Sequence, residues 1–210
     1  MTGLRDRKKQ EVRRRIVQGA ATLFADKGLN DTTMEAIAAA ADVSVGTVYN
    51  YFGSKNALLL AGVEADTDEM ITLGASVIAA PGTAPADAVK RLLEVYMSHL
   101  MEWDRRLLRE VMSAAFQRVG GAELTAELAH MDQRLVEQLA TLLTHFHDTG
   151  QLQADVEVGE AALLLFSAFA IQLFMFISMD GPTSPDLPTQ VARQIDLAFD
   201  GLALTKKKAK

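Results

Sequence analysis

Thr32-Thr33-Met34-Glu35-Ala36-Ile37-Ala38-Ala39-Ala40-Ala41-Asp42-Val43-Ser44-Val45-Gly46-Thr47-Val48-Tyr49-Asn50-Tyr51-Phe52-Gly53-Ser54-Lys55 packs two short helices and a tight turn into twenty-four residues. Thr33 stands directly before the Ala-rich run that starts at Met34, where a hydroxyl can accept from the freed amides of a first helical turn. Ser44 stands likewise before a second run. That run lasts to about Phe52, where Gly53 stops it and Ser54 caps the next helix. Asp42 occupies the turn, and Asp tolerates a left-handed backbone better than most residues.

Upstream, Val12, Ile16, Ala20, Leu23 and Phe24 recur at helical spacing, so Arg5 to Lys27 reads as one amphipathic helix ended by Gly28. Its start is basic: Arg5, Arg7, Lys8, Lys9, Arg13, Arg14 and Arg15 face only Asp6 and Glu11. The formal net charge of −6 hides this asymmetry, because residues 1–60 carry nine Lys/Arg against six Asp/Glu. A polyanion can dock at that end.

On a 3.6-residue wheel Val45, Val48, Tyr49 and Phe52 share one half of the short second helix, and Gly46, Thr47, Asn50 and Tyr51 the other. In a helix-turn-helix the second helix enters the major groove while its inner side holds the core. The half with Gly46 and Thr47 then faces DNA. Gly46 permits close approach, Thr47 offers a hydroxyl and a methyl, and Val45 offers an apolar contact at the exposed N-terminal end. Tyr49, Tyr51 and Lys55 are placed for phosphates.

Phe24-x-x-x-Gly28, Thr33-x-x-x-Ile37-Ala38 and Val43-Ser44-x-Gly46-Thr47-x-Tyr49-x-Tyr51-Phe52 followed by Lys55 together resemble the tetracycline-repressor (TetR) family of bacterial transcription regulators. The likeness covers Ile16 to Leu60. It implies that this head binds operator DNA through Thr33, Val45, Gly46, Thr47, Tyr49, Tyr51 and Lys55. Asp42 departs from the glycine common in that turn. The resemblance also implies a homodimer formed through the last two long helices, a small-molecule pocket among the middle helices, and repression.

Past Lys55 the pattern stays helical. A long fourth helix runs to about Ala80, and Pro81-Gly82-Thr83-Ala84-Pro85 is a linker. A fifth helix carries Val89, Leu92, Leu93, Tyr96, Leu100 and Trp103 on one stripe, and a sixth spans Arg105 to Arg118. After Gly120-Gly121 a seventh runs from Leu124 through Phe146 to Gly150. Gly181-Pro182, Pro185 and Pro188 separate an eighth from a ninth, which carries Val191, Ile195 and Phe199. No stretch alternates as a strand does. The expected class is all-α with about nine helices: a DNA-binding head (1–54), a ligand-binding and dimerisation body (55–204) and a basic, disordered tail (205–210).

Ala161 to Met179 has nineteen consecutive residues without a charge, the length of a membrane span. Acidic flanks at Glu157, Glu160 and Asp180, together with Ser167, Gln172 and Ser178, argue instead for a helix buried on several faces. Its excess apolar surface, and that of the helix after it, favours dimerisation. The residues expected to line an effector pocket are Tyr96, Met97 and Trp103, then Phe116 on the sixth helix. Phe169, Gln172, Leu173 and Phe176 complete the set from the eighth, with Gln172 as the polar anchor for a hydrophobic or aromatic small molecule.

With no cysteine, disulfides and thiolate chemistry are excluded and a cytoplasmic setting fits. His145 and His147 diverge on a helix and do not make a metal pair. No glycine-rich phosphate loop or nucleophile elbow is present, so neither an enzyme nor a cofactor is expected. Two alternatives remain at this point: a DNA-binding dimer without ligand control, and a lipid-associated helical protein.

Overall fold

The breaks around the quoted stretch are made by the groups named for them. Thr33 Oγ1 accepts from the Ala36 N–H at 3.1 Å and opens α2 (Met34–Ala40); Ser44 Oγ accepts from the Thr47 N–H at 3.1 Å and opens α3 (Val45–Phe52). Gly53 ends α3 with φ 70°, and Ser54 Oγ takes the Ala57 N–H at 3.2 Å as α4 (Lys55–Ala79) begins. Asp42 has φ 52°. The Val43 N–H donates to Ala38 O at 3.0 Å and the Asp42 N–H to Ala39 O at 3.2 Å, the two bonds of a Schellman ending with Asp in the usual glycine position.

The coordinates are a computed structural model describing residues 3–103, 105–117, 121–179 and 186–202. Helix α1 (Leu4–Asp31) leaves helical geometry at Gly28, with φ 80° and ψ 165°, where the sequence pattern ends it. Then follow α5 (Pro85–Glu102), α6 (Arg105–Gln117), α7 (Gly121–Asp148), α8 (Val158–Ser178) and α9 (Leu187–Leu202). Among the described residues there is no strand, and the protein is all-α. The basic tail at 205–210, Arg118, Gly120 and the Gly181-Pro182-Pro185 spacer lie outside the described residues.

The chain divides into two units, and the first is larger than the expected head of 1–54: it holds residues 1–68 and 101–129. The reason is the size of its core. Ile16, Phe24, Ile37, Val48 and Leu58 are buried together with Leu107 and Val111 of α6 and Leu124 of α7. The three helices of the head expose more apolar surface than they can cover among themselves, so α6 and the start of α7 complete the burial.

The second unit holds residues 69–100 and 130–210. Its core joins Leu92, Leu93 and Tyr96 of α5 to Leu135, Leu139, Leu142 and Phe146 of α7, Leu165 and Phe169 of α8, and Val191 and Ile195 of α9. Gly150 (φ 73°) closes α7, with the Gln151 N–H donating to Phe146 O at 2.9 Å. Helix α8 is not buried all round, as its composition suggested. Ala161, Ala162, Leu165, Phe169, Gln172 and Ile177 are buried, whereas Leu163, Leu164, Ile171, Phe174 and Met175 are exposed in the single chain.

Candidate nucleic-acid interface

Helix α3 has one fully buried residue. Val48 is wholly buried, half a turn from the groups that α3 presents outward. Its first turn is fixed twice, by the Ser44 cap and by a 2.8 Å hydrogen bond between the Ser44 and Thr47 hydroxyls, which orients the Thr47 side chain. Val45 and Thr47 are half-buried, while Gly46 and Asn50 are exposed. A Cβ built on Gly46 would meet only Ser44 Oγ at 3.9 Å, so among the described residues nothing requires glycine there.

The two tyrosines exchange the places the wheel gives them. Tyr49, counted on the inner half, is 50% exposed, whereas Tyr51, counted on the outer half, is half-buried against the core of the first unit. The Tyr51 and Phe52 rings lie 6.2 Å apart. An eight-residue helix with one fully buried residue has no strict inner half, and here Val45, Tyr51 and Phe52 also pack on the core.

Beside those aromatics lies an open cleft of about 500 Å³ lined by Lys9, Gln10, Arg13, Asn50 and Tyr51. The Arg13 guanidinium sits 5.4 Å from the centre of the Phe52 ring and 3.9 Å from the Glu64 carboxylate. Lys9 and Arg13 stand one turn apart on α1, so the basic start of that helix reaches the end of α3. The sequence offered the i, i+4 spacing as a signal, but not the neighbour.

Lys55 is placed differently from expectation. Its ammonium donates to Leu29 O at 2.7 Å, Asn30 O at 3.1 Å and Thr32 O at 2.8 Å. An ammonium has three donors and all are committed, so Lys55 clamps the corner between α1 and α2 instead of standing free for a phosphate. Thr33 remains exposed, with its hydroxyl spent on the α2 cap.

The residues expected around a ligand are split between the units. Tyr96, Met97, Phe169 and Gln172 are buried in the second unit, with Leu173 and Phe176 packed against the same core. Trp103 belongs to the first unit, where its indole N–H donates to Asp66 and its ring packs on that unit's core. The Phe116 side chain lies outside the described residues. Gln172 is buried and has no hydrogen-bond partner among the described residues. A second buried amide escaped the sequence reading. Gln138 accepts from the Tyr96 hydroxyl at 2.9 Å and donates to Ile71 O at 2.8 Å, a polar node in an otherwise apolar core. On α7 its position reads as one more polar residue beside Glu137.

Residues 16–61, which hold the end of α1, both helices of the turn motif and the start of α4, match the family of bacterial regulatory proteins named tetR. The DNA-binding head of this chain is that of the TetR family. Over 140 residues the chain is 29% identical to the HTH-type transcriptional repressor KstR of Rhodococcus jostii, a match covering 67% of this chain and 63% of that protein. The chain thus spans just under two thirds of that relative's length. Its TetR-family fold recurs in a regulator structure from Mesorhizobium loti, with a TM-score of 0.75 at 20% identity over 92% of this chain and 97% of that one. It is also similar to Thermus thermophilus FadR, a TetR-family repressor solved in complex with lauroyl-CoA. There the TM-score is 0.64 at 22% identity, over 94% and 98% of the two chains.

Proposed function

We propose that this chain is a cytoplasmic, homodimeric transcription regulator of the TetR family that binds palindromic double-stranded operator DNA and is released from it by a hydrophobic small molecule. The observation that carries the DNA reading is α3 itself. It is anchored at Val48 and capped at Ser44, and it offers Gly46, Thr47, Tyr49 and Asn50 outward beside the basic cleft of Lys9 and Arg13. Gly46 has room for a side chain on its own side, so its missing Cβ serves a surface that comes from outside. Val45, Gly46 and Thr47 read base edges; Tyr49, Lys9 and Arg13 meet phosphates.

The dimer reading rests on the outer face of α8. Leu164, Ile171, Phe174 and Met175 form an exposed stripe at helical spacing, and Leu197 of α9 is 73% exposed. Pairing that face with a second copy removes it from water and sets two α3 helices against half-sites about 34 to 36 Å apart. Helix α8 is long and apolar enough to cross a membrane, but its core-facing residues, Leu165 and Phe169 among them, pack among α5, α7 and α9. A protein partner suits such a one-sided helix better than a lipid one.

The effector reading rests on Gln172. Its amide has no hydrogen-bond partner among the described residues, and a small molecule with one polar group beside Phe169, Leu173 and Phe176 can supply one. FadR is a repressor with a bound acyl-CoA and KstR is a repressor, which is the ground for proposing repression. To act, the effector has to favour one arrangement of the two heads over the other, and α4, which belongs to both units, is the element that links them. The chain works as a regulator and not as an enzyme.

The test is a genomic-binding assay comparing the wild type with a Thr47→Ala, Tyr49→Ala double variant. Loss of site-specific occupancy is expected, with dimerisation and melting temperature unchanged. Occupancy of the same sites by the variant refutes the contact assignment.

A further inference from the structure

The corner between α1 and α2 is held by side chains from two other helices. When Gly28 turns out of helical geometry, the Leu29 N–H loses its place in the ladder and donates to Glu110 Oε2 of α6 at 2.7 Å. On the same corner the carbonyls of Leu29, Asn30 and Thr32 all accept from Lys55 of α4. Thr32, 1% exposed, closes the remaining gap through its hydroxyl, which donates to Gly28 O at 2.7 Å. A turn that precedes α2 by one residue is therefore fixed by one carboxylate and one ammonium.

Glu110 has little freedom. Leu107 and Val111, one turn before it and one residue after, are buried in the core shared with Ile16, Phe24 and Leu58. Arg106 pairs with Glu110 at 3.4 Å and reaches Asp31 at 3.8 Å. A Cβ on Gly28 would sit 2.9 Å from Glu110 Oε1 and 3.2 Å from the Arg106 guanidinium, so the glycine serves close approach as well as its positive φ.

We propose that Glu110 is a positioning residue for DNA binding: by holding the Leu29 amide it sets where α2 and α3 stand, and it makes their placement depend on the position of α6. The bond links a helix outside the DNA-reading motif to the corner that leads into that motif. A hydrogen bond of this length to a charged acceptor weakens steeply when its partner moves by an ångström, so a displacement of α6 reaches the corner directly. This rests on the DNA reading given above.

The experiment uses the full-length protein, a duplex selected from a random library by the wild type, and amide hydrogen exchange at Leu29 in the free protein. Glu110→Gln keeps an acceptor of the same reach and loses the charge. Glu110→Asp keeps the charge and loses the reach, and it stands in for Glu110→Ala should that variant not fold. If the acceptor's reach is what matters, Glu110→Ala and Glu110→Asp exchange Leu29 about tenfold faster and bind the duplex about tenfold more weakly, while Glu110→Gln stays within about threefold of the wild type in both. Unchanged Leu29 exchange in Glu110→Ala overturns the contact. Fast exchange with wild-type affinity overturns the positioning role and leaves the DNA reading intact. Failure of the wild type to enrich any sequence overturns the DNA reading, and the positioning role with it.

Discussion

Replacing Gly74 by Ala should destabilise the protein, although alanine is the better helix former and Gly74 lies inside α4. The obstacle is Gln138. A Cβ on Gly74 overlaps Gln138 Oε1 and lies 3.0 Å from both Gln138 Cδ and Leu92 Cδ1. Both ends of that carboxamide are in use, with Tyr96 O–H donating to it at 2.9 Å and its own N–H donating to Ile71 O at 2.8 Å. To make room, the amide has to swing away and leave a buried phenol and a buried amide unmatched. Each such loss costs about 1–1.5 kcal/mol, and the gain in helix propensity returns about 1 kcal/mol. The net is a loss of about 1–2 kcal/mol, or roughly 2–8 °C in Tm for a chain of this size. Gly62, on the same helix, is the control. Nothing lies within 4 Å of its would-be Cβ, so Gly62→Ala should gain up to about 1 kcal/mol. Urea unfolding followed by circular dichroism at fixed protein concentration gives both values. If Gly74→Ala is as stable as the wild type, or if the two variants shift in the same direction, the packing argument fails. A Gln138→Ala change should also remove most of the Gly74→Ala penalty, because the two residues share one contact.

Three further outcomes follow from particular residues. Leu164→Glu with Phe174→Glu places charges in the exposed stripe of α8 and should yield monomers at micromolar concentration by light scattering; a persistent dimer places the interface elsewhere. Burial pushes the Tyr96 phenol up to about 12, above its ordinary value of 10. A raised phenol keeps its contribution in full below pH 10 and loses it as pH climbs from 10 to 12, so the fold should lose about 2–3 kcal/mol across that window. Tyr96→Phe should flatten that slope, and an equally steep loss in the variant refutes the assignment. Asp42→Gly relieves a non-glycine residue at φ 52° and should raise stability by about 1 kcal/mol without changing DNA affinity, which melting and gel-shift measurements check together. A lower melting temperature would show that the Asp42 side chain contributes more than its backbone costs.

The features legible in the residue order are those that short-range chemistry controls. Thr33, Ser44 and Ser54 accept amides three residues ahead, Gly28 and Gly53 end helices through their own backbone angles, and Asp42 takes a left-handed turn without help. Such groups find their partners within one helical turn, so spacing alone exposes them, and the all-α class and the turn motif follow. The tertiary structure decided whatever depends on a partner far along the chain. Lys55 finds its carbonyls 23 to 26 residues away and becomes a clamp, while Glu110 reaches Leu29 across 81 positions. Tyr49 and Tyr51 exchange sides because the seat beneath α3 is supplied by other helices, and Trp103 packs in the first unit, apart from Tyr96 and Phe169. The exposed stripe of α8 was equally hidden. Apolar composition says that a helix avoids water, but only its neighbours determine which face is already covered and which still needs a partner.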